Sequence, residues 1–455
     1  MGSKARKQLK CIADAGDGSY YDADQADDLS EALRKITQRA LRPYAITGIP
    51  VKGSDDPDAA PEIPVGQYRD RFAADDDERF YAIPRTAGET VTASVNSLVP
   101  PTGSYNAEYW YLKLTTAGGE SCDAANTLSE TQNTTLVVSG AVVSDTATAA
   151  PACATDPLVL SVKRRSTGNT RTAPAEIVVA TEPPIVNLAA LPDPIDRYAD
   201  SGRAVGASEK RTPVVGGNSF TNAATLTPGT YTDAPAVGES VFYRVSLQPG
   251  QRLATTVKAP ANPKAWELTN VQTVTVATVL YSPSRVPLTK QSVGLQGSNG
   301  GKVTAYSPQV RIRNREISHG TAVTTEGDLR QNASYASVAG DYFVSVQVRA
   351  GTPDVLGQVL PIRLSLRVDG TPLGLPEYGT SAASPTPTSS ASPTPGSRRH
   401  LRPRSRALGR GPAGHPWRWP VRSARTWPAL PRWSSPGSAG RGAGSVWHPA
   451  GVPGC

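Results

Sequence analysis

Gly66-Gln67-Tyr68-Arg69-Asp70 and Gly229-Thr230-Tyr231-Thr232-Asp233 stand 163 residues apart and share three of their five positions. Downstream the likeness continues in order at an offset of 162 residues: Phe80-Tyr81 with Phe242-Tyr243, Gly88 with Gly250, and Val91-x-x-x-Val95 with Leu253-x-x-x-Val257. Self-similarity at a fixed offset marks a repeated structural unit, so the chain carries two tandem copies of one module. Each copy continues in segments where apolar and polar residues alternate. These are Tyr109 to Leu114, Leu136 to Val138 and Leu158 to Val162 in the first, and Val271 to Leu280, Tyr342 to Val348 and Leu360 to Val368 in the second. Period-two alternation half-buries a strand, and many short strands between Gly- and Pro-bearing turns predict antiparallel sandwiches. The expected fold class is therefore mainly β: two tandem antiparallel β-sandwich domains, preceded by a small helix-strand-helix α/β remnant and followed by a disordered tail.

Composition agrees. The 455 residues contain 41 Gly, 41 Pro and a single Met, with 38% hydrophobic and 19% charged residues, enough for ordinary globular cores. No run of about 18 apolar residues exists, and the start Met1-Gly2-Ser3-Lys4-Ala5-Arg6-Lys7 lacks the apolar core of a signal peptide. The chain as written is thus expected neither to span a membrane nor to carry an export signal. Its net charge of +8 sits in residues 398–455, which hold 11 Arg and no Lys, Asp or Glu; residues 1–397 hold 36 Lys+Arg against 39 Asp+Glu. The body is mildly acidic, so the charge is no argument for a nucleic-acid partner of the modules. The tail also holds Trp417, Trp419, Trp427, Trp433 and Trp447, with Pro or Gly every few residues and no periodicity.

Residues 4–44 follow a different pattern. Ala5, Leu9 and Ile12 share a helical face, Gly16 and Gly18 break it, Ser19-Tyr20-Tyr21 is a short strand, and Leu29, Leu33, Ile36 and Ala40 line a second helix that Pro43 ends. This stretch, from Lys7-Gln8-Leu9-Lys10-Cys11-Ile12-Ala13 to Leu29-Ser30-Glu31-Ala32-Leu33, resembles the last helix–strand–helix of a von Willebrand factor A-like domain. That family binds a divalent cation through an upstream Asp-x-Ser-x-Ser loop, which is not present; Asp17-Gly18-Ser19-Tyr20-Tyr21 has Tyr21 where the second Ser would stand. The modules, with their Gly-x-Tyr-x-Asp, acidic turn, Phe-Tyr strand and Gly turn, resemble the bacterial pre-peptidase C-terminal type of sandwich. Ala339-Gly340-Asp341-Tyr342-Phe343-Val344 is similar to that family's closing strand, whereas the first copy has Asp156-Pro157-Leu158-Val159-Leu160 there. The whole resembles actinobacterial membrane-anchored surface proteins.

The expected organisation is a truncated A-type remnant over 1–45, a linker over 46–63, module 1 over 64–182, a linker over 183–218, module 2 over 219–370, a Pro/Ser/Thr-rich spacer over 371–397 and the Arg/Trp/Pro tail over 398–455. Spacers of this composition are extended and semi-rigid and usually lead to an anchor. If each codon's third base opens the next codon, Trp417-Arg418 and Trp419-Pro420 yield Ala and Arg422-Ser423 yields an apolar residue. The tail is therefore expected to be a frameshifted membrane anchor.

Chemistry is sparse. A Ser or Cys nucleophile needs a positioned base, and zinc usually takes several His or Cys ligands. Outside the tail His319 is the one histidine, and it reads as a surface residue. Patterns for serine hydrolases, zinc peptidases and phosphate loops are missing, so neither a catalytic residue nor a cofactor site is expected. Cys122 and Cys153 either form a disulfide, stabilising by about 3–4 kcal/mol, or stay as two thiols; the disulfide is the expectation and implies an oxidising compartment. Cys11 has the spacing of a small core residue. Asp75-Asp76-Asp77-Glu78 is a weak candidate for calcium, set against a plain solvated turn; the second copy has Ala236-Val237-Gly238-Glu239 there and so dispenses with those carboxylates. Asp55-Asp56-Pro57-Asp58 reads as solvated linker.

Together these readings point to a non-enzymatic cell-envelope binding or scaffolding protein, an incomplete copy of an extracellular, membrane-anchored parent. Its partner would be a protein or cell-wall ligand, with no nucleic acid, and membrane attachment only through the anchor. Function would come from surface loops and inter-module grooves. The alternative is an accessory β-sandwich region of a secreted enzyme.

Overall fold

The computed structural model describes residues 6–9, 11 and most of 46–379; within the latter, 74–75, 100–105, 132–135, 147–148, 168–171, 196–203, 207, 260–273, 296–299, 318–321, 324–331 and 351–356 are left aside. The expected remnant beyond residues 6–9 and 11, which are helical, His319, the spacer past residue 379 and the whole tail lie outside the described residues. Cys11 is disulfide-bonded, which corrects its reading as a plain core residue. Both modules belong to one unit, Ala23–Ser384.

The fold is mainly β. Module 1 contains β1 (Ile49–Pro50), β2 (Gly66–Phe72), β3 (Asp77–Ile83), β4 (Thr90–Val99), β5 (Asn106–Thr116), β6 (Ser121–Thr131), β7 (Leu136–Val143), β8 (Leu158–Thr167) and β9 (Ala173–Glu182). Module 2 contains β10 (Thr212–Pro213), β11 (Ala224–Thr225), β12 (Gly229–Asp233), β13 (Ser240–Leu247), β14 (Arg252–Ala259), β15 (Val274–Tyr281), β16 (Pro287–Leu295), β17 (Gly301–Tyr306), β18 (Ala322–Val323), β19 (Gly340–Ala350) and β20 (Ile362–Asp369). The sheets of module 1 run β1-β2-β9-β4-β7 and β18-β6-β5-β8-β3; those of module 2 run β10-β12-β20-β14-β17 and β11-β13-β19-β15-β16. The five strands of the first sheet match in order, and β3, β8, β5 and β6 of the second match β13, β19, β15 and β16; the short fifth strand differs, β11 lying beside β13, whereas β18, from module 2's own sequence, lies beside β6 of module 1 and pairs with Asn126 and Thr127.

The alternation predicts which side chains meet. Tyr68, Phe72, Val91, Val95, Ile177 and Val179 from one sheet face Tyr81, Trp110, Leu112, Leu114, Leu158 and Leu160 from the other, all buried in one core. Module 2 buries Tyr243, Leu253, Val257, Val344 and Leu364 likewise. The repeated Gly-x-Tyr-x-Asp has an atomic reason. In module 1 the Asp70 carboxylate accepts from the Gly53 amide (2.8 Å) and from the Tyr81 hydroxyl (2.7 Å). In module 2 Asp233 accepts from the Gly216 amide (2.8 Å) and the Tyr243 hydroxyl (2.7 Å). Gly is required at the donor because a Cβ on Gly53 would lie 2.6 Å from the Tyr81 ring. The motif tyrosines close the turn before β2 and β12: Tyr68 donates to the Pro64 carbonyl and Tyr231 to the Thr227 carbonyl, both at 2.9 Å.

The structure corrects the linker boundaries. Residues 46–63 are part of sandwich 1: Ile49 and Pro50 pair in parallel with Tyr68 and Arg69, Ser54 bridges Phe80, and Ile63 is fully buried. Residues 212–217 do the same in sandwich 2, through Thr212, Pro213 and Gly217. The start of the spacer is also anchored, since Val186 donates to the Glu377 carbonyl and Gly379 to that of Pro184, both at 2.8 Å. Two-residue strands are too short to show alternation, and Pro and Gly on an edge are tolerated because they need few ladder bonds.

Candidate functional site: the cleft between the modules

In each sandwich the five-stranded sheet β1-β2-β9-β4-β7 or β10-β12-β20-β14-β17 has an outer face. On module 1 that face carries Gln67 from β2, Glu176, Val178, Ala180 and Glu182 from β9, Thr90, Thr92 and Ser94 from β4, and Ser139, Ala141 and Val143 from β7. It is covered by module 2. The hairpin turn between β15 and β16 reaches in, with Arg285 in the left-handed region at φ 63°. Arg285 Nη1 lies 2.8 Å from Glu176 Oε2, with side-chain exposures of 9% and 0%. Glu176 is further held by the Thr47 amide (2.8 Å) and the Gln67 side-chain amide (3.1 Å). The Arg285 guanidinium also stands 5.3 Å from the Phe220 ring centroid, and its carbonyl accepts from the Ser139 hydroxyl. Nearby, the buried Tyr335 hydroxyl donates to the Ala141 carbonyl at 2.8 Å. A charge with no exposure is tolerated only when paired and hydrogen-bonded, and Glu176 obtains both across the interface.

Beside this latch a cleft of about 140 Å³ opens between the two modules. Its walls are Thr90, Thr92, Ser94, Val143, Val178 and Ala180 of module 1 against Pro283, Ser284, Ser334, Tyr335, Ser337 and Val338 of module 2, with Asp145, Glu182 and Arg315 as its charged lining residues. Arg315 Nη2 pairs with Glu182 Oε2 at 2.7 Å. Tyr378 donates to the other Glu182 oxygen at 2.9 Å, and burial, with the Glu182 charge behind it, pushes its phenol up to about 12. The lining therefore offers hydroxyls and aliphatic carbon, with a Glu182–Arg315 pair whose charges cancel and the exposed Asp145 carboxylate beside them.

The site residues expected from sequence lie elsewhere. Cys122 and Cys153 form a disulfide, Cα atoms 5.6 Å apart. The acidic turn does not converge: Asp77 binds Arg79 (3.1 Å), Glu78 accepts from Ser161 (2.7 Å) and Asp76 pairs with Lys163 (3.4 Å), while Asp75 lies outside the described residues. Among the described residues no group of three or more His, Cys, Asp or Glu is placed to hold a metal ion, and no helix is long and apolar enough to cross a membrane. Arg285 and Glu176 were not anticipated. A lone Glu inside Ala173-Pro174-Ala175-Glu176-Ile177-Val178-Val179 is the signal that something must meet it; the hairpin turn Pro283-Ser284-Arg285 gives none.

No family model and no curated protein matches the chain. Among solved structures, the STIV MCP is similar over 66% of this chain and 96% of its own, at 11% identity and a TM-score of 0.18. The CBM22-1-CBM22-2 tandem domain of Xyn10C from Paenibacillus barcinonensis is similar over 67% and 86%, at 10% identity and a TM-score of 0.16. Human MASP-1/3 CUB1-EGF-CUB2 is similar over 66% and 99%, at 10% identity and a TM-score of 0.14. Likeness at this level says nothing about ligand, partner or activity.

Proposed function

We propose that this chain is a non-enzymatic binding or scaffolding protein of the cell envelope, derived from a membrane-anchored surface protein with an A-type N-terminal part and pre-peptidase C-terminal-like sandwiches. The observation that carries the reading is the Arg285–Glu176 latch, which fixes two sandwiches around a preformed cleft. Pre-organisation of this kind removes much of the ordering cost of binding, and concave sites between domains are where ligands usually sit. Hydroxyl and aliphatic walls with a self-neutralised ion pair suit a neutral, hydroxyl-rich glycan. The test is sedimentation of the protein with purified cell-wall sacculi. Saturable co-sedimentation that Ala180→Trp abolishes, by filling the cleft from an exposed position, is expected; absence of sedimentation, or equal sedimentation of the variant, refutes the reading.

A further inference from the structure

The internal repeat supplies a control for what each module needs in order to fold. On the opposite end of the same module 1 sheet, a second and wider groove of about 800 Å³ is lined by Lys52, Arg69, Arg71 and Arg79 beside Pro50, Val51 and Pro174. Matching backbone bonds fix the equivalent positions in module 2. Pro50 pairs with Arg69 as Pro213 pairs with Thr232, the Gly53 and Gly216 amides both reach the motif Asp, and Ser54 bridges Phe80 as Gly217 bridges Phe242. Lys52, Arg69, Arg71 and Arg79 therefore correspond to Val215, Thr232, Ala234 and Val241. Four cations in one copy stand where the other copy, with the same strand order and the same Asp–Gly–Tyr contact, has none. The fold does not ask for them.

Three of the four are not neutralised in place; the exception is Arg79, which pairs with Asp77 and stands 3.9 Å from Asp70. Asp70 is bound by Gly53 and Tyr81, and Glu176, directly across the sheet from Arg69, is engaged by Arg285. Lys52, Arg69 and Arg71 are exposed and form no ion pair with a described carboxylate. Arg69 and Arg71 lie two residues apart on one face of β2, about 6.8 Å along the strand, a spacing suited to a polymer with recurring charges. Guanidinium forks match carboxylate and phosphate oxygens. Among the described residues the groove lining contains no aromatic ring on which a base could stack, which favours a sugar polymer over single-stranded nucleic acid.

We propose that this groove binds a linear anionic glycan, with Lys52, Arg69 and Arg71 contacting its carboxylates or phosphates in turn. It goes beyond the cleft reading, on another surface and for an anionic instead of a neutral ligand. The experiment titrates the full chain with polygalacturonate, polyglycerol phosphate, neutral dextran and a 20-nucleotide oligothymidylate, against the triple variant Lys52→Val, Arg69→Thr, Arg71→Ala. These are the residues that module 2 already carries, and an unchanged melting curve confirms the fold. A second variant, Lys210→Thr with Lys258→Thr and Lys302→Thr, removes three exposed charges outside the groove and controls for net charge. The triple variant is expected to bind one or both acidic glycans about tenfold or more weakly, with the control unchanged and dextran inert. Carboxylated against phosphorylated polymer identifies the source of the anion. Acidic glycans bound equally by parent and triple variant, bound by neither, or weakened equally in the control would overturn the proposal, as would a loss confined to the oligonucleotide.

Discussion

Arg285→Ala removes the positive member of a pair whose negative member has no solvent exposure. Breaking a buried pair in this way typically costs about 3–5 kcal/mol, because the remaining charge is stranded. Here Glu176 retains the Thr47 and Gln67 amides, and parting of the modules would let water reach it. The lower end, about 3 kcal/mol, is therefore expected, and it falls on the coupling between modules and not on either core. At roughly 2–4 °C per kcal/mol for domains of this size, the affected transition drops by about 6–12 °C. Calorimetry is the assay: the parent unfolds in one transition, and the variant in two, since each sandwich keeps its own buried core. Replacing both partners, Glu176→Gln with Arg285→Met, should recover most of the loss. A single transition for Arg285→Ala within about 2 °C of the parent would refute the reasoning.

Three further outcomes are expected. Cys122→Ser with Cys153→Ser releases a loop of 31 residues and should lower the stability of module 1 by about 3–4 kcal/mol, read by denaturant unfolding with buried Trp110 fluorescence as reporter. Tyr81→Phe and Tyr243→Phe each delete a donor to a motif Asp; each should cost about 1–3 kcal/mol, and equal losses in the two modules would confirm that the contact does the same job twice. Asp369 is held below its ordinary value first by its hydrogen bond from Arg367 and further by the Arg367 and Arg252 charges. A depressed carboxylate contributes stability above its unfolded pKa and loses it as pH falls through the folded one, so Asp369→Asn should flatten part of the acid limb of melting temperature against pH below about 4.

The repeat was legible because its residues do local, identical work: Gly, Tyr and Asp are each fixed by a contact within one module. The central strands were legible too, since Tyr109 to Leu114 and Tyr342 to Val348 alternate over a full strand. β6, with Ser121-Cys122-Asp123-Ala124-Ala125-Asn126, was not, because it has few apolar anchors and, apart from its two-residue pairing with β18, one partner strand only. The disulfide was readable from two cysteines in one module. The latch was not, since Glu176 and Arg285 stand 109 residues apart and belong to different copies, and nothing in a single sequence links them. In the acidic turn four adjacent carboxylates look like ligands in one dimension, but the pleat and the turn send Asp77 to Arg79 and Glu78 to Ser161.

The Arg285–Glu176 pair ties the two sandwiches into one body. Spin labels placed by Lys113→Cys in module 1 and Lys302→Cys in module 2, both exposed, report it through pulsed electron–electron distance measurement; among the described residues no native cysteine is free to compete for label. A single narrow distance distribution is expected, broadening when Arg285→Ala is added. A broad distribution in the parent chain, unchanged by that substitution, would contradict it.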